Sequence, residues 1–132
     1  MSNTHFSFDT TAFRDTEELL SENINRIHGH ELASWLSREL GRLGYEATDA
    51  SDEDFGWYFD VQNEGHSYFC TASVATEGQL PDEGHVTVAK NRSLIDRILG
   101  RNKSVSDDAV VTAIAAILES STAISNLERH VE

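Results

Sequence analysis

The sequence predicts an α+β protein in which an antiparallel β-sheet of about four strands carries an N-terminal amphipathic helix and C-terminal helices on one face. Three observations predict this arrangement. Apolar residues recur at spacings of three and four between Leu32 and Leu43. Apolar and polar residues alternate from Phe55 to Gln62, ahead of a hairpin signal. An almost wholly apolar helical pattern covers Ala109–Leu118.

The length indicates one domain, and its first residues are the least regular part. A chain of 132 residues can bury one core without disulfide bonds, so residues 1–132 are assigned to a single acidic domain. Within residues 1–14, the alternation from His5 to Phe8 fits an edge strand or an unordered arm. Residues 15–25 carry a short helical pattern.

The clearest helix lies in the first half of the chain. Its apolar stripe consists of Leu32, Trp35, Leu36, Leu40 and Leu43. Gly44 follows in the position where a helix commonly ends on a left-handed residue. Gly41 lies inside the helix at a cost of up to about 1 kcal/mol relative to alanine, and we take it to mark close packing against the sheet.

Strand patterns fill the middle of the chain. In Phe55–Gln62 the alternation directs Phe55, Trp57, Phe59 and Val61 to one side and the intervening residues to the other. The aromatic side is assigned to the core, against the Trp35 helix. The remaining segments are a short strand Tyr45–Thr48, a hairpin loop Asn63–Gly65, a return strand His66–Ala75, a loop Glu77–Gly84 and a strand His85–Ala89.

The C-terminal third is predicted to be helical. Residues 94–99 have helical spacing, and Ser104 or Ser106 is the expected cap of the helix over Ala109–Leu118. Because that helix is apolar nearly all round, it is either buried on most sides or uses its extra face to meet a second copy in a homodimer. A short amphipathic tail, Ala123–Val131, closes the fold.

Charge is sorted along the chain. The formal net charge is −13, and the stretch between Arg42 and Lys90 holds ten acidic residues and no lysine or arginine. Phosphate contacts need clustered basic residues, so this balance argues against binding to nucleic acids and to anionic membranes. An acidic surface is typical of many bacterial cytosolic proteins, and it also attracts cationic partners.

The single cysteine and the hydropathy pattern bear on the compartment. Cys70 has no partner for an intramolecular disulfide, which favours a reducing environment. The sequence begins without a signal-peptide pattern and contains no apolar run long enough to span a membrane. We therefore expect a cytoplasmic protein.

Motifs for catalysis are missing from the sequence. It contains no nucleophile elbow, no phosphate-binding glycine loop and no zinc-protease motif, so a binding module is favoured over an enzyme. We expect no catalytic residue, cofactor or metal. The alternative is a metal-dependent or thiol-dependent site, because His66 and Cys70 share one face of a strand and His85 lies on a neighbouring one. A lone cysteine in a strand is, however, most often a small buried hydrophobe.

The leading hypothesis is a surface that binds a basic protein or peptide. Its predicted residues are Asp52, Glu53 and Asp54, which we call the acidic loop, together with Tyr58 and Asp60 on the strand face opposite the core. Phe69 of the return strand is expected beside them. Aromatic residues are common anchors at interfaces, and charges at the rim steer association.

In size, charge and predicted fold class the chain resembles toxin-immunity proteins and secretion chaperones. The resemblance implies a non-catalytic role, by analogy only. It departs from secretion chaperones because those have a helix between their third and fourth strands, where this chain has only Glu77–Gly84. A structural homo-oligomer remains the other alternative.

Overall fold

A single antiparallel sheet organises the computed structural model, which describes residues 3–91 and 108–131. Its seven strands lie in the order β2-β4-β5-β6-β1-β7, and β3 also pairs with β4. The elements are β1 (Asn3–Thr10), α1 (Glu17–Glu22), α2 (His30–Arg42), β2 (Glu46–Ala47), β3 (Ser51–Glu53), β4 (Gly56–Asn63), β5 (His66–Ala75), β6 (Asp82–Lys90), α3 (Ala109–Ser120) and β7 (Ile124–Val131).

The predicted fold, a sheet of about four strands with an N-terminal helix, was wrong. The described residues form seven strands, and the chain starts with a strand rather than a helix. Residues 1–14 were assigned to an edge strand or arm, but β1 lies inside the sheet between β6 and β7. The tail Ala123–Val131 forms β7 instead of joining the helical part. Both ends depend on each other, since β1 is flanked by a strand contributed by the last residues of the chain.

Alternating burial along β1 explains its central position. Thr4, Phe6, Phe8 and Thr10 face the core, whereas the residues between them face the other side of the sheet. Phe8 packs on β6 at Gly84, where an added Cβ atom would overlap the phenyl ring. The pleat therefore buries two phenylalanines, and burying such a side chain contributes about 1.5–3 kcal/mol.

Helix α2 confirms the predicted helix and packs through Leu32, Leu36 and Leu40, which are completely buried. Leu43 is 60% exposed at the C-terminal end, where the chain leaves the core. Gly44 has the expected positive φ of 96°, and the Tyr45 amide donates to the Leu40 carbonyl, as in a Schellman motif.

Gly41 does not mark close packing against the sheet. A Cβ atom placed on it would meet no atom within 4 Å. The residue faces a groove on the outer side of the helix. The sequence pattern could not distinguish an open helix face from a tightly packed one.

Helix α3 covers the rest of the same sheet face. Its buried residues are Val110, Val111, Ile114, Ala115, Ile117 and Leu118, and it contacts α2 and β7. These side chains belong to the same core as α2 and the sheet. The predicted helix over residues 94–99 and the capping serines Ser104 and Ser106 lie outside the described residues.

Candidate functional site: an acidic sheet face

The described helices α2 and α3 pack on one face of the sheet, and we call the opposite face the open face. Strand alternation decides which side chains it carries. In β4 the core receives Trp57, Phe59 and Val61, so Tyr58 and Asp60 belong to the open face. Each of these two side chains is half-buried, as is usual for residues in the middle of a solvated sheet.

An aromatic cluster lies on the open face at the β4 end of the sheet. The Phe69 ring packs on Tyr58, with 5.2 Å between ring centroids, and on Phe55 at 6.1 Å. Phe55 was assigned to the core with Trp57, but it lies in the turn before β4 and is 45% exposed. The turn reverses the chain at this point, which breaks the alternation and directs the ring onto the open face.

The acidic loop is a strand and a tight turn rather than an irregular loop. Asp52 and Glu53 belong to β3, and Asp54 lies in the turn that leads into β4. The register pairs Asp52 with Trp57, which places Asp52 on the helix side of the sheet edge. Glu53 is paired with Gly56 and shares the open face with Tyr58 and Asp60.

Two asparagine side chains hold this turn in place, and no sequence pattern predicted either contact. The Asn23 amide nitrogen donates to the backbone carbonyl of Glu53 at 2.8 Å and to that of Gly56 at 2.9 Å. The Asn25 amide donates to the carbonyl of Asp54. The three carboxylates therefore project from an anchored backbone, so less ordering entropy is lost when they bind a partner.

Three further acidic residues, outside the predicted site, occupy the open face. Strand register puts Asp9, Glu83 and Glu128 there, in β1, β6 and β7. None was predicted, because their strands become neighbours only through pairing between distant parts of the chain. The alternation in β1 was visible in the sequence, but its position inside the sheet was not.

No lysine or arginine in the described strands points to the open face. Lys90 and Arg129 lie at core-facing positions of β6 and β7. The other described basic side chains belong to the segment before α2 or to α2 itself, and these are Arg14, Arg26, Arg38 and Arg42. The carboxylates of the open face are thus left without lysine or arginine partners on the same face.

Three histidines form the centre of the other half of the open face. His5 Nε2 lies 3.0 Å from His85 Nδ1, and the rings of His5 and His130 are 6.2 Å apart. His85 Nε2 is 2.7 Å from a Glu83 carboxylate oxygen. Within residues 3–91 and 108–131, no group of three or more histidine, cysteine, aspartate or glutamate side chains has the arrangement of a metal site.

The alternative site of His66, Cys70 and His85 is not brought together. Cys70 is completely buried on the core side of β5, whereas His85 lies on the open face of β6. His66 is at the hairpin end of β5. Burial raises the pKa of the Cys70 thiol, and the negative charge of Asp60 raises it further, so the reactive thiolate is disfavoured.

Comparison with known proteins adds no family to this description. No protein-family model matches the sequence, and no curated protein or solved structure is significantly similar to it. No helix in the described part of the chain is long and apolar enough to cross a membrane. The functional argument therefore rests on the residues of the open face.

Proposed function

We propose that this protein is a non-catalytic interaction module whose open face binds a cationic protein or peptide. One observation carries the proposal: an aromatic cluster is surrounded by carboxylates on a sheet face that has no lysine or arginine in the described strands. The residues that we expect to contact the partner are Glu53, Asp54, Tyr58 and Asp60, together with Asp52, whose side chain lies on the helix side of the adjoining sheet edge. Phe69 completes the aromatic surface between them.

The chemistry of this surface suits an arginine or lysine side chain. A guanidinium over the Tyr58 ring would gain about 0.5–1 kcal/mol from the cation–π interaction at an exposed site. Asp60 is paired with Phe69 in the sheet register, so a carboxylate lies beside the same aromatic surface. The remaining acidic residues act at longer range, since a negatively charged surface raises the rate of association with a positively charged partner.

The expectations about nucleic acids, membranes, a homodimer and the compartment can each be compared with this proposal. A negative face repels nucleic acids and anionic membranes. A homodimer through Ala109–Leu118 would have little large apolar surface to use, because the valine, isoleucine and leucine side chains of α3 are buried inside the monomer. The single, buried Cys70 is compatible with the cytoplasm that we propose as its compartment.

The likeness to toxin-immunity proteins and secretion chaperones now depends on size and charge. The described connection between β5 and β6 contains no helix, which keeps the difference from secretion chaperones. Either analogy implies a basic protein as the partner only if the open face is the binding surface. The partner should therefore be identified by its positive charge, without assuming that this protein is related to either class.

The first test combines capture with kinetics. A pull-down from native lysate at low salt should yield one dominant basic protein that is released at high salt, because screening weakens exposed charge pairs. Reversing Asp52, Glu53 and Asp54 to lysine should then slow association with that protein by about tenfold or more, since steering changes on-rates by 10- to 1000-fold. Stopped-flow or surface-based kinetics at two salt concentrations measures this.

A matched variant separates local charge from net charge. Glu18, Glu22 and Glu119 are exposed acids on α1 and α3, and reversing all three changes the net charge by the same amount. This control should associate almost as fast as the wild type. Equal slowing by the two triple variants, or binding that ignores ionic strength, would contradict a role for the acidic loop.

A further inference from the structure

A groove lies on the helix side of the molecule, away from the open face. It separates the outer surface of α2 from the residues that join β2 to β3, and its volume is about 760 Å³. Ser34, Ser37 and Arg38 line the helix wall, and Asp49 and Ala50 line the other. Volumes of 300–1,000 Å³ are typical of small-molecule sites.

The helix wall of the groove is a line of polar side chains. His30, Ser34, Arg38 and Arg42 follow one another at spacings of four, which places them along one face of α2. Two arginines four residues apart repel each other by about 0.2–0.5 kcal/mol in an isolated helix. Arg42 is paired with Glu39 at 2.9 Å, so Arg38 is the guanidinium on this wall that a ligand can reach without breaking an ion pair.

Arg38 differs from the other basic residues that the structure describes. The others contact an acidic side chain or an aromatic ring: Arg14 with Asp82, Arg26 with Glu17, Arg42 with Glu39, Lys90 with Asp108, and Arg129 over Phe6. Within the described residues, Arg38 makes no ion pair, hydrogen bond or ring contact. The Arg38 side chain is exposed, so its guanidinium is free to contact a ligand in the groove.

A second unpaired group lies at the N-terminal end of the same wall. His30 Nδ1 is buried and has no hydrogen-bond partner, and its nearest carboxylate oxygen, on Glu31, is 3.8 Å away. A buried polar nitrogen without a partner is uncommon, because its desolvation is not compensated. The His30 Nδ1 atom and the Arg38 guanidinium thus line one groove without hydrogen-bond partners among the described residues.

We propose that this groove binds a small molecule carrying a phosphate monoester, such as a nucleotide. Guanidinium groups bind phosphate through paired, charge-assisted hydrogen bonds, and Arg38 and the Ser34 hydroxyl line the groove as donors to its oxygens. Arg42 lies on the same wall and adds positive charge while it remains paired with Glu39. The groove has room for a ring system, and the small residues Gly41 and Ala50 are part of its lining. The net charge of −13 acts against an anion at long range, but salt screens it beyond about 8 Å. Asp49 on the opposite wall also repels an anion, so the phosphate is expected at the helix wall beside Arg38.

The test uses calorimetric titration of the intact protein with adenosine 5′-monophosphate. The wild type should bind it, and Arg38→Ala should weaken binding by about tenfold or more, as expected for losing a charge-assisted hydrogen bond. Arg26→Ala is the matched control: it removes the same charge from an exposed site outside the groove, and we expect less than about a twofold change. Arg38 is exposed and unpaired, so the variant should unfold at the same urea concentration as the wild type.

Three results would overturn the proposal. The first is the absence of binding to adenosine 5′-monophosphate at millimolar concentration. The second is an equal loss of affinity in Arg38→Ala and Arg26→Ala, which would indicate unspecific attraction. The third is displacement of the nucleotide by citrate at lower concentration, which would assign the groove to carboxylates. The triple reversal of the acidic loop should leave nucleotide binding intact, so this proposal and the proposed function can fail separately.

Discussion

Buried polar residues connect segments that the sequence pattern left apart. The carboxylate of Asp15 accepts hydrogen bonds from the backbone N–H groups of Gly29, His30 and Glu31, at 2.8–3.0 Å. It therefore caps α2 from a distance, where Gly29 has no side chain to do so. Asn23 anchors the turn of the acidic loop by donating hydrogen bonds to two backbone carbonyls. Each is buried at low cost because its polar atoms are satisfied.

Asp82 and Arg14 form the best-defined ion pair of the described residues. The Arg14 guanidinium donates to both Asp82 carboxylate oxygens at 2.8 Å, and the Asp82 side chain is fully buried. The hydrogen bonds from Arg14 hold the pKa of Asp82 below its usual value of 3.8. The folded protein therefore binds this proton less readily than the unfolded chain does.

This pair predicts a pH dependence of stability. The stabilisation is present above the unfolded pKa of about 3.8 and is lost as the pH falls through the lower folded pKa. Urea unfolding at several pH values between 2.5 and 6 measures it. Asp82→Asn should remove part of the acid-dependent loss, whereas Glu18→Gln, at an exposed site, should not. Parallel pH profiles for wild type and Asp82→Asn would contradict the assignment.

At the scale of elements, packing and propensity act in opposite ways on two glycines. Gly84 in β6 makes room for the Phe8 ring of β1, while Gly41 in α2 has free space around it. Helix propensity favours alanine over glycine at position 41, whereas steric overlap with Phe8 disfavours alanine at position 84. The two sites therefore form a matched pair for the same substitution.

Gly84→Ala should destabilise the protein by about 1–3 kcal/mol, because the Cβ atom would push Phe8 out of its position. Gly41→Ala should stabilise it by up to about 1 kcal/mol. Chemical denaturation of both variants measures the two changes in the free energy of unfolding. A neutral Gly84→Ala would mean that β1 and β6 can move apart, and a destabilising Gly41→Ala would mean that the helix face is not open.

In the part of the chain that the structure describes, basic residues are unevenly distributed between the two sides of the sheet, while acidic residues such as Glu31 and Asp49 also lie on the helix side. Carboxylates dominate the open face, and the arginines of α2 lie on the helix side. The fold also joins the two ends of the chain, because β1 is inside the sheet only while β7 covers its outer edge. The open face therefore combines strands from both ends of the chain with strands from its middle.

Removing β7 should therefore affect more than the last residues. A chain that ends at Ser121 would leave β1 as an exposed edge strand. It would also lack Ile124 and Leu127, so the core residues that these two side chains cover would become exposed. We expect a lower urea midpoint and self-association, measured by denaturation and light scattering. Removing only Val131 and Glu132 is the control and should change little. A truncated monomer with the wild-type midpoint would show that β7 adds nothing to the sheet.

Local periodicity in the sequence determined the elements that depend on near neighbours. The stripe of α2, the cap at Gly44, and the faces of β4 and β5 all follow from spacings of two to four residues. The same reasoning placed Tyr58 and Asp60 opposite the core. Alternation and helical periodicity are set by backbone geometry, so they can be recognised in the sequence without knowledge of the tertiary structure.

Tertiary structure alone decided which strands are neighbours. His5 meets His85, 80 residues away, and β1 became an interior strand although its own pattern fits an edge. The number of strands, the extent of the open face and the groove beside Arg38 all depend on such pairing. Its physical reason is that one strand pattern suits any partner with a complementary face, so the pairing is chosen by the packing of the complete core.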